Sequence, residues 1–190
     1  SDPDPARRPL RVGLVGLGTG TSLVWGRPGD VFRCYDINPQ VFRVADRYFT
    51  YAAHCQARVE RVLGDARIML EREPALSAPE NYDVLAVDAF SSDAIPIHLL
   101  TLQCGRLYQR HLKPDGLLAI HISNRFLDLQ PVVNGLAQAL GMQAVDIIYD
   151  DDDEKGLFQA EWIVLTNNKA WLKNPEVVEK GNSWNSDKPK

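Results

Sequence analysis

The chain has 190 residues, 45% hydrophobic and 24% charged, enough for one globular domain with a sizeable core and too short for two full ones. The formal net charge of −4 disfavours a uniformly basic nucleic-acid binder, and Cys34, Cys55 and Cys104 are too few and scattered for a disulfide framework or a zinc site. Apolar runs such as 117–120 and 163–165 fall far short of the roughly 20 residues a membrane-crossing helix needs, so the segment reads as soluble and the cysteine usage as cytoplasmic.

In chain order, short β-rich runs alternate with segments of helical period. The run 11–16 (RVGLVG) leads through a glycine-rich turn to a short helix ending near Trp25. Next come 31–36 (VFRCYD), a helix over 39–49, the run 58–63 and a short helix over 66–72. The most apolar run, 83–88 (DVLAVD), precedes a helix over 98–111. After the turn Pro114, Asp115, Gly116 come 117–123 (LLAIHIS), a helix over 129–140, and strands over 142–149 and 160–166. Repeated strand–helix–strand units predict an α/β, doubly wound, mostly parallel sheet of about seven strands in a Rossmann-like arrangement. No helix fits between Tyr149 and Ala160, so the last strand is expected to be antiparallel. Residues 1–10 read as an amino-terminal extension, 11–172 as the domain, and 173–190 as a polar tail outside the fold.

Charge is uneven: residues 1–72 carry 11 Arg against 8 acids, +3, and the remainder 10 bases against 17 acids, −7. Ligands of such sheets bind beyond the carboxyl ends of the strands, where the strand order reverses. The first strand ends in Gly16, Leu17, Gly18, Thr19, Gly20, Thr21, where glycines let the backbone approach a ligand. A dinucleotide fingerprint needs Gly or Ala three residues after Gly18, and Thr21 stands there, so the spacing is nearer to that of nucleoside-binding transferases. Asp36 closes the second strand, where its carboxylate can accept from both ribose hydroxyls or cap the next helix. Asp65, after the third strand, can accept from an adenine amino group or cap the helix that begins at Ala66.

Asp88 ends the fourth strand and Asp93 follows five residues later on the same loop. An alkylammonium ion has a pKa near that of Lys, about 10.4, so an attacking amine needs a base. One carboxylate can take the proton while the other holds the charge; alternatively the pair caps a helix and binds loop amides. The acidic run at 150–154, which includes Asp151, either concentrates cations at the same edge or is a solvated loop. Tyr149 and Phe158 flank it and can pack on an aliphatic or cationic substrate or on the core. His54, His98, His111 and His121 have no metal-ligand spacing and read as core or surface residues. No Walker loop, G-x-S-x-G elbow or H-E-x-x-H occurs, against kinase and hydrolase readings.

These residues resemble the spermidine synthases, the polyamine aminopropyltransferases, and more closely the spermidine-synthase-like domains found alone or fused to membrane transporters, within the class I S-adenosylmethionine-dependent methyltransferase fold. The likeness is carried by GLGTGT at 16–21, YDINPQV from Tyr35, RYF ending at Phe49, GDAR at 64–67, YDVLAVDAFSSDAIPIHLLT at 82–101 and LKPDGLLAIHISN at 112–124. It implies S-adenosylmethionine or its decarboxylated form as cofactor, with methylthioadenosine or S-adenosylhomocysteine as product. Gly16, Gly18, Thr19 and Gly20 would lie along its methionine side, Asp36 and Ile37 at the ribose, and Asp65 with Ala66 at the adenine. Asp88 would be the catalytic aspartate, with Asp93 beside it holding a small-molecule amine, and Tyr149, Asp151 and Phe158 would line the amine site.

Two departures qualify what the resemblance implies. Spermidine synthases carry an aspartate at the position of Thr19, and its loss leans toward methyl transfer. They also have an amino-terminal β domain that helps close the amine pocket and build the dimer, whereas this chain enters its first core strand by Arg11. The readings are therefore aminopropyl transfer to an amine, methyl transfer in the same pocket, or a non-catalytic nucleoside-binding module of a larger, membrane-fused protein. Neither metal, nucleic acid nor a membrane span is expected, and a homodimer is an option.

Overall fold

The computed structural model describes residues 8–76, 79–89, 96–124, 126–149 and 159–183. Within them the β-rich runs form one sheet of eight strands: β1 (Arg11–Val15), β2 (Val31–Asp36), β3 (Arg58–Leu63), β4 (Tyr82–Val87), β5 (Leu112–His121), β6 (Gln143–Tyr149), β7 (Ala160–Thr166) and β8 (Gly181–Ser183). Their order is β3-β2-β1-β4-β5-β7-β6-β8. The first five are joined by parallel pairings, and β7 runs antiparallel to β5 and β6. The chain moves outward from β1 to β3 and then restarts at β4 on the other side, so the carboxyl ends of β1 and β4 flank the point where strand order reverses.

Both faces of the sheet are covered. A 3-10 turn (Thr21–Trp25), α1 (Pro39–Tyr48) and α2 (Tyr51–His54) accompany a core of Val12, Leu14, Phe32 and Cys34. On the opposite face α3 (Ala66–Leu76), α4 (Leu102–His111) and α5 (Gln130–Leu140) pack over Leu85, Leu118, Ile120, Ile163 and Leu165, which are wholly buried. Truncating any one of these to Ala would cost about 2–5 kcal/mol. Local chemistry sets the helix starts: Asn38 Oδ1 accepts the Gln40 N–H at 2.9 Å ahead of Pro39, and Thr101 Oγ1 accepts the Cys104 N–H at 3.3 Å.

Three details differ from the expectation. The helix expected over 98–111 is divided into a 3-10 turn (Ile97–Leu99) and α4. β5 begins at Leu112 rather than 117, because pairing with β4 jumps from Tyr82↔Leu112 to Val84↔Leu117 and residues 113–116 bulge out of the strand. Lys113 Nζ reaches both Asp83 carboxylate oxygens at 2.8 Å, and Thr166 Oγ1 donates to the Gly116 carbonyl at 2.9 Å, which hold the bulge in place. Finally, part of the expected polar tail continues the fold: after α6 (Lys169–Leu172), Asn174 caps α7 (Pro175–Lys180), and β8 pairs antiparallel with β6. A three-residue polar strand has no hydrophobic period, so the expected seven strands become eight. At the other end, the Leu10 N–H donates to Asp30 Oδ1 at 2.7 Å, tying the extension to the sheet. Among the described residues no helix is long and apolar enough to cross a membrane.

An ionic network lies between the sheet and α3. Arg33 Nη2 bonds Glu73 at 2.6 Å and Nη1 bonds Glu60 at 2.9 Å, while the Tyr35 hydroxyl lies 2.9 Å from both Glu73 oxygens and 2.6 Å from the Tyr82 hydroxyl. Arg11 also pairs with Glu80. Charges this well enclosed are tolerated because they are mutually paired, and losing one partner leaves the others desolvated. Glu73→Gln is therefore expected to lower unfolding free energy by about 1.5–3 kcal/mol in urea titrations, and an unchanged midpoint would remove the network from the stabilising interactions.

Asp83 gives a pH dependence. Burial opposes its charge, but the Arg11 N–H, Lys113 and Arg8 outweigh burial and hold the carboxyl below its ordinary value. With the folded value below the unfolded one near 3.9, roughly, the contribution is present above that pH and is lost as pH falls. Urea titrations from about pH 5 to pH 2 should show a shallower loss of stability in Asp83→Asn than in the parent chain. Equal slopes would exclude Asp83 as a source of acid sensitivity.

Candidate functional site

The site begins where β1 meets β4. The Gly16 N–H donates to the Tyr35 carbonyl and the Asp88 N–H to the Val15 carbonyl, both at 2.8 Å, so three strand ends are bound together just before the chain turns. Gly16 has φ +92°, and a Cβ there would run into the Asp88 backbone. Only glycine allows the two strand ends to pass this closely. Gly18, at φ +56°, has open space where a Cβ would project, leaving bare backbone toward the cavity.

Acids at successive strand ends surround this bend. Asp36 Oδ2 accepts the Leu17 N–H at 3.2 Å and Oδ1 the Asn38 N–H at 2.9 Å, so its carboxylate is held across the glycine turn. The cap of α1 is Asn38, not Asp36. Asp65 does cap α3, through Oδ1 and the Ile68 N–H at 3.1 Å, and its Oδ2 pairs with His98 Nε2 at 2.8 Å. Asp88, with its side chain 47% exposed, bonds His121 Nδ1 through Oδ1 at 2.7 Å.

A cavity of about 560 Å³ joins these groups. Of the residues singled out from the sequence, Gly16, Gly18, Asp36, Ile37, Asp65, Ala66 and Asp88 line it, together with Tyr35, Pro96, His98 and Leu99. Thr19 is exposed on the turn, Gly20 packs against Leu17, Leu23 and Tyr51, and Tyr149 stands half exposed at the end of β6; none of the three is among the lining residues. Asp93, Asp151 and Phe158 lie outside the described residues. Three carboxylates and no Lys or Arg line the cavity among the described residues, which suits a cationic ligand and disfavours a polyphosphate.

Two histidines belong to this site although their spacing in sequence gave no sign of it. His98 touches Asp65, and His121 touches Asp88. The signal for His121 was strand adjacency: β4 and β5 pair in parallel with Val87 opposite Ile120, which sets the next residues, Asp88 and His121, side by side. His121 also bonds Ser123 Oγ through Nε2 at 2.8 Å and stacks on Trp162 at 4.7 Å.

No protein-family model matches the chain. It is 31% identical over 122 residues to a polyamine aminopropyltransferase of Vibrio vulnificus, covering 63% of this chain and 38% of that protein. It is 29% identical over 114 residues to an N-terminal histidine N-methyltransferase of Emericella nidulans, covering 57% of this chain and 19% of that protein. The chain thus spans well under half the length of these relatives. Among solved structures, human methyltransferase-like protein 13 in complex with SAH superposes with TM-score 0.68 at 19% identity, over 90% of this chain and 78% of that one. Spermidine synthase from Thermotoga maritima superposes with TM-score 0.62 at 15% identity, over 92% and 57%. A spermidine synthase bound to the transition-state analogue AdoDATO gives TM-score 0.65 at 15% identity, over 92% and 58%. The chain has the Rossmann-like fold of class I S-adenosylmethionine-dependent methyltransferases, and over about three-fifths of its length it is similar in sequence to a polyamine aminopropyltransferase.

Proposed function

We propose that this domain is a transferase that binds an S-adenosyl sulfonium compound in the cavity between β1, β2, β3 and β4 and moves its aminopropyl group to an amine nitrogen. The observation that carries the reading is the convergence of bare backbone at Gly18 with the carboxylates of Asp36 and Asp88 on one cavity that no Lys or Arg lines among the described residues. Its volume of about 560 Å³ lies within the usual range of ligand sites, about 300–1,000 Å³.

The residues present fit such a group. Asp36 is anchored by two backbone amides, yet each oxygen keeps lone-pair capacity for a ribose hydroxyl. Ile37, 70% exposed, and Leu99 offer apolar surface to a base, with the Ala66 backbone and Asp65 at its polar edge. The negative lining balances the sulfonium charge. When bound, the sulfonium compound supplies an electron-poor carbon and a neutral thioether leaving group. Asp88 takes the proton of the acceptor nitrogen and passes it to solvent through its exposed edge. The resemblance to spermidine synthases would give Asp93 the hold on the amine's positive charge and Tyr149, Asp151 and Phe158 the acceptor side; of these only Tyr149 is among the described residues. Similarity to a polyamine aminopropyltransferase supports the aminopropyl group.

A second reading, methyl transfer by the same residues, is favoured by one observation: the exposed Thr19 puts no negative charge on the glycine turn that would repel a ligand keeping its carboxylate. Calorimetry separates the two. Aminopropyl transfer predicts tighter binding of decarboxylated S-adenosylmethionine than of S-adenosylmethionine, and the reverse order selects methyl transfer. Asp88→Asn is expected to lower kcat by about 10²–10⁴ while nucleoside affinity stays within about threefold. Retained turnover in that variant would exclude Asp88 as the base, and absence of binding by any of these nucleosides would overturn the assignment of the cavity.

A further inference from the structure

We propose that His121 is the positioning residue for Asp88, donating its Nδ1 proton to Asp88 Oδ1 so that Oδ2 faces the acceptor nitrogen, with Ser123 Oγ engaging the other ring nitrogen. The proposal rests on Asp88 being the base in the reading above.

The hydrogen bonds around the ring assign its protons. An ionised carboxylate only accepts, so the 2.7 Å bond to Asp88 requires the proton on Nδ1. In a neutral imidazole Nε2 is then an acceptor, and its partner at 2.8 Å is Ser123 Oγ. The Ser123 hydroxyl donates to that acceptor, while its oxygen accepts the Glu161 N–H at 2.8 Å. The sequence of donors therefore runs from the Glu161 amide through Ser123 and His121 to Asp88 and ends on a carboxylate that lines the cavity.

Packing holds the ring in this plane. β5 and β7 pair with His121 opposite Trp162, and the two rings stack at 4.7 Å with 14° between their planes. The His121 side chain is 21% exposed, against 47% for Asp88. Asp88 sits beyond the end of β4, where an exposed carboxylate would otherwise sample several rotamers. A donor carried by the neighbouring strand selects one of them, and orientation of a base toward its proton is a large part of its catalytic value.

The arrangement has the carboxylate–imidazole–hydroxyl order of a hydrolase triad, but the reacting end is reversed. Ser123 Oγ is engaged by a main-chain amide, whereas Asp88 opens onto the cavity. During transfer the proton moves from the acceptor nitrogen to Asp88 Oδ2 and then to water. The imidazole is not a party to the transfer: it keeps its Nδ1 proton directed at Asp88 Oδ1 throughout.

Nitrogen NMR on the full chain with labelled histidine tests the pairing without any turnover. The His121 resonance, identified by its loss in His121→Phe, should report the Nδ1–H tautomer at a pH where the ring is neutral, and Asp88→Ala should shift it toward Nε2–H. In turnover assays His121→Phe, which keeps a ring on Trp162 and removes the donor, should lower kcat about tenfold to a hundredfold with nucleoside affinity unchanged. His121→Asn, whose amide nitrogen can occupy the place of Nδ1, should restore most of it. An Nε2–H tautomer in the unaltered chain, or wild-type kcat in His121→Phe, overturns the proposal. If the unaltered chain transfers to no amine, the reading of Asp88 as base fails, and the tautomer measurement still decides whether His121 holds it.

Discussion

The carboxyl ends of β1 and β4 come together backbone to backbone, and a hydrogen atom at Gly16 is what makes the approach possible. From that contact the rest of the site takes its shape. The chain after Gly16 must turn sharply, which brings the Leu17 amide to Asp36 on the neighbouring strand. The Asp88 amide is held by Val15, so the carboxylate of Asp88 leaves the sheet beside the same bend. Any larger residue at position 16 would separate β1 from β4 and so pull apart the groups on both sides of the cavity.

Beneath this edge, the Arg33, Tyr35, Glu73 and Tyr82 network ties β2, α3 and β4 to one another. Tyr35 immediately precedes Asp36, and Tyr82 begins the strand that ends before Asp88, so side chains bonded in the interior lie on the same two strands that deliver acids to the surface. A polar interior of this kind restricts how those strands slide past one another, which an apolar interface of equal area would do less selectively. The organisation is economical in chemistry: strand direction places the acids at one edge, main-chain amides orient Asp36 and Asp65, and His121 holds Asp88.

Much of the architecture could be read from residue order. β2, β3 and β7 match the runs 31–36, 58–63 and 160–166, because β-branched and aromatic residues in short blocks bounded by turn residues leave little choice of element. The 113–116 bulge was not legible, since Pro114-Asp115-Gly116 makes equally good turn chemistry outside a strand. Nor was α2, whose four residues carry no helical period. Asp36, Asp65 and Asp88 could be named because each closes or closely follows a strand in a sheet whose direction was evident. His121 could not: its importance comes from Asp88 on the adjacent strand, 33 residues earlier, and from Ser123 curling back toward it. Local pattern reveals elements, while pairing across strands reveals partners.

The short β8 has a further effect on how the sheet ends. It bonds to β6 opposite residues Val145, Asp146 and Ile147, occupying main-chain groups that would otherwise form an open margin. The opposite margin, β3, is guarded differently, by Arg58, Glu60 and Arg61, whose charges oppose the docking of a foreign strand. One border thus ends on a strand of three residues, too short to template another, and the other on charged side chains.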